Sequence, residues 1–162
     1  MNPNEFKLHL KEMERKIGRF INQDAPRYAA NYAAKKFKEN FLNEGFFGER
    51  WKEVKRRQDS RNFKTLKSGK NKGVSKATNE AGRNKILTGT GNLRRSIKQR
   101  TKPGVAIVYS DTEYGHVHNE GLRAGRGTGF TMPKRQFMGS NPELEREIFN
   151  YLNNELSNII TP

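Results

Sequence analysis

Two histidines and three acidic residues within one short segment are the side chains best suited to bind a metal ion. His116 and His118 lie close to Asp111, Glu113 and Glu120. Imidazole and carboxylate groups ligate divalent metals, and such a centre would serve a metal-dependent nuclease. On a strand the two imidazoles would share a face, but on a helix residues two apart point about 200° away from each other. Because we predict a helix here, we expect no metal centre and interpret both histidines as hydrogen-bonded structural or interface residues.

Two glycine-rich turns lack the spacing that a phosphate-binding loop needs. Gly69–Gly73 does not fit the pattern G-x-x-x-x-G-K-[ST], and Gly89-Thr90-Gly91 has no third glycine. No serine or lysine sits in a recognisable nucleophile motif. The chain also contains no cysteine, which excludes a disulfide framework and thiol catalysis. We therefore predict that the protein is not an enzyme and uses no cofactor.

The positive charge of the chain is concentrated in its middle third. The 162 residues include 32 Lys+Arg and 17 Asp+Glu, for a net charge of +15. Residues 50–102 hold 18 of the basic residues and only three acids, so the two flanking parts together are neutral. A basic surface confined to one region indicates phosphates or acidic protein faces as partners.

Twelve cations of this segment are the candidates for contact with DNA or an acidic partner. They are Arg56, Arg57, Arg61, Lys64, Lys67, Lys70, Lys72, Lys76, Arg83, Lys85, Arg94 and Arg95. Phe63 is the only aromatic residue between Val54 and Gln99, which disfavours base stacking and sequence reading. Binding to DNA would then be directed at the backbone and sensitive to salt. The alternative is a solvated basic face without a partner.

Residues 56–85 show almost no apolar periodicity. We predict an extended basic loop or arm over residues 52–85 that is mobile in the free subunit and can become ordered on assembly. The length suits a single domain over residues 1–162. Apolar content is 32% and mean hydropathy is −1.02, both low for a self-contained globule of this size. Either some of the chain stays solvated or partner subunits complete the burial. No apolar run approaches the ~20 residues that span a bilayer. We therefore expect a protein made in a cytoplasm-like compartment that makes no membrane contact.

The apolar spacing predicts three long helices. The first covers residues 4–22, and its narrow apolar stripe is coiled-coil-like in spacing. This helix either packs on its own domain or docks on a neighbouring subunit. Its apolar residues are Phe6, Leu10, Met13, Ile17, Phe20 and Ile21. The second helix is predicted to start at an N-cap at Asp24 and to end near Asn43, and the last begins at Pro142. Trp51, the only tryptophan, is interpreted as a core residue.

A β-hairpin and a short helix are predicted between these helices. Strands over 97–102 and 105–109 flank a Pro103-Gly104 turn, and the first strand is polar enough to lie at an exposed edge. A short helix follows over residues 112–121. A glycine-rich tip at 125–129 is expected to be flexible.

Three segments together resemble the phage virion morphogenesis family, the tail-completion proteins of Mu-like phages. The Thr88–Gly91 turn with Leu93 and Ser96-Ile97 is similar to the family pattern T-G-x-L-x-x-S-I. Tyr114-Gly115 with His118–Gly121 resembles Y-A…H-x-x-G, with glycine where alanine is usual.

The third segment, Met132–Gly139, resembles P-A-R-P-F-L-G. Here Lys134, Gln136 and Met138 replace the usual alanine, proline and leucine. The likeness to neck and tail-completion proteins of long-tailed phages is more distant. Structural or interface roles are implied for nine motif residues. They are Gly89, Gly91, Leu93, Tyr114, His118, Gly121, Pro133, Arg135 and Phe137.

The resemblance implies an α+β fold, with long N-terminal and C-terminal helices packed on a small antiparallel sheet. It further implies a structural virion protein that completes or terminates the tail, or belongs to the neck, and joins tail to head. Such a subunit would form a ring, a hexamer or a multiple of six. Its partners would be copies of itself, tail-tube proteins and neck or connector proteins, with packaged double-stranded DNA in the lumen as a further candidate. It would be assembled in the bacterial host cytoplasm and reside in the virion.

Two other function classes stay open at this level. The first is a non-specific nucleic-acid-binding protein that uses residues 50–102. The second is a metal-dependent nuclease built on His116, His118 and Glu120.

Overall fold

The computed structural model describes residues 2–161, without the side chains of Glu80 and Ala81. Its helices are α1 (Pro3–Arg19), α2 (Ala25–Asn43), α3 (Lys55–Gln58), α4 (Glu80–Arg83), α5 (Asn92–Arg95), α6 (Gly115–Glu120) and α7 (Pro142–Ile160). Its strands are β1 (Gly45–Phe46), β2 (Glu49–Arg50), β3 (Phe63–Thr65), β4 (Ser75–Ala77), β5 (Ile97–Lys102), β6 (Val105–Ser110), β7 (Arg123–Ala124) and β8 (Phe130–Thr131). Consecutive strands pair into four antiparallel hairpins. The predicted α+β class is confirmed.

The chain divides into two compact units. Unit 1 contains the chain up to Lys38, the segment Ile97–Asp111 and the chain from Gly139 onward. Unit 2 contains Glu39–Ser96 and Thr112–Met138.

The first two helices of the chain are continuous. A π-helical turn over Phe20–Asp24 joins α1 directly to α2, and its last residue is not a cap. The predicted N-cap at Asp24 is therefore wrong; its carboxylate instead pairs with Arg27 at 2.7 Å. Pro26 has no N–H for the carbonyl of Asn22, which lies four residues earlier. That carbonyl accepts the Gly104 N–H at 3.4 Å, and the wider π turn tolerates the proline.

Unit 1 places α7 beside α2 through aromatic and ionic contacts. The Tyr151 ring stacks on Tyr28 with a centroid distance of 3.5 Å. The Glu147 carboxylate accepts the Tyr32 hydroxyl at 2.9 Å and pairs with the Lys36 ammonium at 3.0 Å. This ammonium and the tyrosine hydroxyl both lower the pKa of Glu147, so the carboxylate stays ionised. Helix α7 begins as predicted, since its N-cap Asn141 accepts the N–H of Glu143 at 2.9 Å.

The predicted hairpin before α6 is confirmed. Strands β5 and β6 pair in register from Ile97 opposite Ser110 to Lys102 opposite Val105. Ile97 is buried, and every later residue of β5 is exposed, as the polar sequence of this strand predicts. Helix α6 is shorter than predicted, because Tyr114 acts as its N-cap and Gly121 ends it.

An aromatic cluster forms the core of unit 2. Phe41 and Phe137 are fully buried, and Trp51 is 8% exposed. The Phe41 ring centroid lies 5.5 Å from that of Trp51 and 5.1 Å from that of Phe137. The indole N–H of Trp51 donates to the Gln136 carbonyl at 2.6 Å, which satisfies its polar end. The predicted core role of Trp51 is confirmed.

The basic stretch 52–85 contains short elements where the sequence suggested none. Helices α3 and α4 flank a 3-10 turn and the β3–β4 hairpin. Side-chain amides hold this stretch together: Asn62 donates to the Arg56 carbonyl and Asn79 donates to the Asn62 side chain, both at 2.7 Å. Because polar side chains hold this stretch together, its sequence shows no apolar periodicity. Ordering on assembly stays a prediction, as does the single domain. No helix within residues 2–161 is both long and apolar enough to span a membrane.

A matched pair of phenylalanines tests the core of unit 2. Phe137 is 0% exposed and Phe149 is 67% exposed. Phe137→Ala leaves a cavity and should lower the free energy of unfolding by about 3–5 kcal/mol. Phe149→Ala should change it by no more than about 0.5 kcal/mol. Urea denaturation followed by tryptophan fluorescence measures both. Equal losses would contradict the packing described here.

Candidate functional site

Six of the predicted motif residues line one groove of unit 2. This motif groove has a volume of about 320 Å³. Its walls come from Val54, Arg56, Leu87, Thr88, Gly89, Thr90, Gly91, Asn92, Leu93, Tyr114, His118 and Arg135. The structure thus brings together residues that stand up to 81 positions apart in the sequence. The other three motif residues, Gly121, Pro133 and Phe137, do not line the groove.

Arg135 is a buried cation of the motif groove. Its side chain is only 5% exposed, and its Nε–H donates to the Lys52 carbonyl at 3.0 Å. Its backbone N–H donates to the His118 carbonyl at 2.8 Å. Burial and then repulsion by Arg56 lower the pKa of Arg135, while Glu53 opposes both. An arginine keeps its proton at neutral pH even so, and the groove holds a permanent positive charge.

His118 lines the same groove and is uncharged. Burial lowers the pKa of His118, and the charge of Arg135 lowers it further. The imidazole is therefore uncharged at neutral pH. Its ring meets the Tyr114 ring edge-on with centroids 6.1 Å apart. Within residues 2–161 its buried Nδ1 has no hydrogen-bond partner, so the hydrogen bond that we expected for His118 is missing at this atom.

His116 does not join His118 at the groove. It is exposed on α6, the helix that the sequence predicted. Side chains two residues apart on a helix point in different directions, so the two histidines are separated. In the described part of the chain, no three His, Asp or Glu side chains are placed to hold a metal ion.

Two of the predicted partner-binding arginines hold a loop in place. Arg56 donates from Nη2 to the carbonyls of Asn84 and Lys85, at 2.7 and 2.9 Å. Arg57 pairs with the Glu44 carboxylate at 3.0 Å. Glu44 also accepts the Ile86 N–H at 2.5 Å, which ties the start of the glycine turn to the end of α2. Both arginines therefore position the motif groove.

Two asparagines fix the chain around Phe137. The Asn119 side chain accepts the N–H groups of Phe137 and Met138 at 2.9 and 3.0 Å. Asn40 donates to the Phe137 carbonyl at 3.1 Å and accepts the Phe47 N–H at 3.3 Å. Sequence reasoning missed Asn40, Asn119 and Glu44. Only for Asn119 did the sequence offer a signal, because this residue lies inside the motif segment His118–Gly121.

Five lysines lie on one hairpin. We name residues 63–77 the basic hairpin; it carries Lys64, Lys67, Lys70, Lys72 and Lys76, all exposed. Lys64 stands directly opposite Lys76 in the strand register. Residues 60–79 contain no acid, and like charges directly opposite each other destabilise a strand pair. An anionic partner would relieve this repulsion.

The remaining predicted cations are exposed and several are engaged locally. Arg61 pairs with Asp59 at 2.7 Å, and Lys85 donates to the Leu42 carbonyl at 2.7 Å. Arg95 donates to the Thr90 carbonyl at 2.9 Å, and Arg83 donates to the Asn79 carbonyl at 3.4 Å. Arg94 is exposed on α5.

One comparison with known proteins gives a match. Residues 48–157 match the phage virion morphogenesis family. These residues include all nine motif residues and the whole basic hairpin. Neither a curated protein nor a solved structure matches the chain.

Gly121, which follows α6, allows a test of the motif geometry. It has φ +72°, and a Cβ atom there would lie 2.8 Å from the Lys134 backbone nitrogen. Gly127 has a similar φ of +63° but open space around it. Either change to alanine incurs the left-handed penalty of about 1–2 kcal/mol. Gly121→Ala should cost at least about 1 kcal/mol more than Gly127→Ala, because the Lys134 backbone must move. Equal losses in urea denaturation would show that this contact is not rigid.

Proposed function

The chain belongs to the phage virion morphogenesis family, and from this premise we propose that it joins the tail to the head during virion assembly. Its role in the virion is structural. The family match over residues 48–157 carries the proposal. The specific role that we propose is that of a tail-completion, tail-terminator or neck component, located at the neck or the tail end of the particle. We propose no catalytic step and no cofactor.

Self-association through α1 is the first part of the proposal. No residue of this 17-residue helix is buried. Phe6 is 54% exposed and Leu10 is 47% exposed, on a stripe whose alternating spacing of four and three continues through Met13 and Ile17. That spacing is typical of helices that pack on other helices. We infer that this stripe contacts a second copy in a closed ring of six subunits or a multiple of six.

Charge neutralisation through the basic segment is the second part. A net charge of +15 on every subunit of a ring is strongly self-repulsive. Packaged DNA in the lumen, or acidic faces of tail-tube and neck proteins, would neutralise it. The lysines of the basic hairpin are accessible to such a partner, whereas Arg56 and Arg57 are engaged within unit 2.

A second candidate is a non-specific nucleic-acid-binding protein that acts as a single subunit. The opposed lysines of the basic hairpin favour it, because phosphates would relieve their repulsion. This function requires tight duplex binding by the isolated subunit with a steep salt dependence. The tail-joining proposal expects weak binding until the ring has formed. Duplex titrations of the isolated subunit and of the ring at two salt concentrations separate the two.

Substitution in the α1 stripe tests the ring. Leu10→Gln removes an apolar contact and should shift the purified protein from rings toward single subunits in analytical ultracentrifugation. Lys11→Gln changes an exposed residue outside the stripe and should leave the distribution unchanged. Rings that persist in the Leu10 variant would show that another surface builds them. Failure to form rings at all, alone or with neck proteins, would contradict the assembly proposal.

Charge removal from the basic hairpin tests its role in tail joining. The test variant carries glutamine at Lys67, Lys70 and Lys72. We expect it to leave heads and tails unjoined, which electron microscopy detects, and to lower the infectious titre. As the control, a variant changes three exposed cations outside the hairpin and the α1 stripe to glutamine and so removes the same charge: Lys11, Lys35 and Arg146. This control should join normally. Equal effects of the two triple variants would mean that only total charge matters.

A further inference from the structure

The buried guanidinium of Arg135 is only partly used by the protein. Its Nε–H donates to the Lys52 carbonyl. Among residues 2–161 no acceptor hydrogen-bonds to Nη1 or Nη2, and no carboxylate forms an ion pair with this side chain. Its accessible part lines the motif groove. Arg135 is only 5% exposed, and a largely buried charge without a counterion is costly. Its four Nη N–H donors are arranged for a planar anion.

The groups around Arg135 also favour binding of an anion. Arg56 lines the same groove, and its charge repels that of Arg135. The nearby carboxylate of Glu53 is engaged elsewhere, because it accepts the Val54 N–H at 2.8 Å and lies 3.4 Å from Arg57.

We propose that the motif groove binds the side-chain carboxylate of an acidic segment of another protein, with Arg135 as the anchor. This site is distinct from the basic hairpin, and it does not depend on the tail-joining proposal. The guanidinium of Arg135 donates two parallel hydrogen bonds to the carboxylate, and Arg56 adds a second positive charge. Leu87 and Leu93 provide apolar walls for the stem of the acidic residue.

The shape of the groove favours a protein carboxylate over a phosphate of duplex DNA. Its volume of about 320 Å³ lies at the lower end of the usual range for binding pockets. Duplex phosphates lie on a stiff rod and meet exposed cations, whereas a carboxylate on a flexible stem reaches a recessed guanidinium. Tyr114, 45% exposed beside the groove, is of the type enriched with arginine at protein interfaces.

NMR titration of the unaltered protein tests the site without any substitution. The protein is labelled with ¹⁵N at arginine and titrated with the peptide acetyl-Gly-Glu-Gly-amide. The Arg135 Nε–Hε resonance should shift and saturate. The matched acetyl-Gly-Gln-Gly-amide should leave it unchanged. Absence of a saturable shift with the glutamate peptide, or an equal shift with the glutamine peptide, would overturn the proposal.

Phosphate competition identifies the source of the anion. Inorganic phosphate and a short DNA duplex are titrated against the same resonance. A saturable response to either one with none to the glutamate peptide would assign the groove to phosphate and overturn the proposal. The proposal is supported if inorganic phosphate and the duplex each bind more weakly than the glutamate peptide.

Substitution then assigns the binding to Arg135. Arg135→Gln should weaken glutamate-peptide binding by about 30-fold or more, because a buried partner of the charge pair is lost. Lys67→Gln, in the basic hairpin, should leave binding unchanged. Equal weakening by both would indicate general attraction to positive charge and overturn the proposal. Should Arg135→Gln not fold, the titrations of the unaltered protein with the glutamate and glutamine peptides decide the proposal.

Discussion

The arrangement of unit 2 depends on how the short segment Gln136–Met138 is held. Within the described residues this segment belongs to no strand, yet its backbone groups bond to the side chains of Trp51, Asn40 and Asn119. These bonds satisfy the N–H and carbonyl of Phe137, which sits fully buried against Phe41. The adjoining Arg135 is thereby carried into the motif groove. A single buried ring with its backbone satisfied by side chains thus positions the candidate site.

Buried and exposed charges have separate roles in this protein. Arg57 and Glu44 pair with low exposure and tie the end of α2 to the chain before the glycine turn. Such a pair maintains geometry, and breaking one side of it leaves an uncompensated charge. The lysines of the basic hairpin are exposed, and the attraction they exert on a partner depends on salt. The same residue types therefore serve the fold in one place and assembly in another.

Departures from the family patterns are accommodated by local contacts. Gln136 stands where the resembled pattern has proline, and the rigidity that a proline supplies comes here from bonds to its carbonyl and to the next two N–H groups. The π turn before α2 is a similar case. Pro26 there would interrupt an ordinary helix, and a wider turn keeps the chain helical. In both places hydrogen bonds from outside the segment replace what the local sequence lacks.

The sequence by itself determined the helices α2 and α7, the β5–β6 hairpin, the core role of Trp51 and the segregation of charge. These features follow from spacing, capping and composition, which are local. It also pointed to the motif residues through resemblance. Only the tertiary structure decided that α1 and α2 are continuous, that Arg56 and Arg57 bond to groups within unit 2 and that Arg135 shares a groove with Gly91. Those outcomes depend on hydrogen bonds and charges between residues far apart in the chain, which no local pattern records.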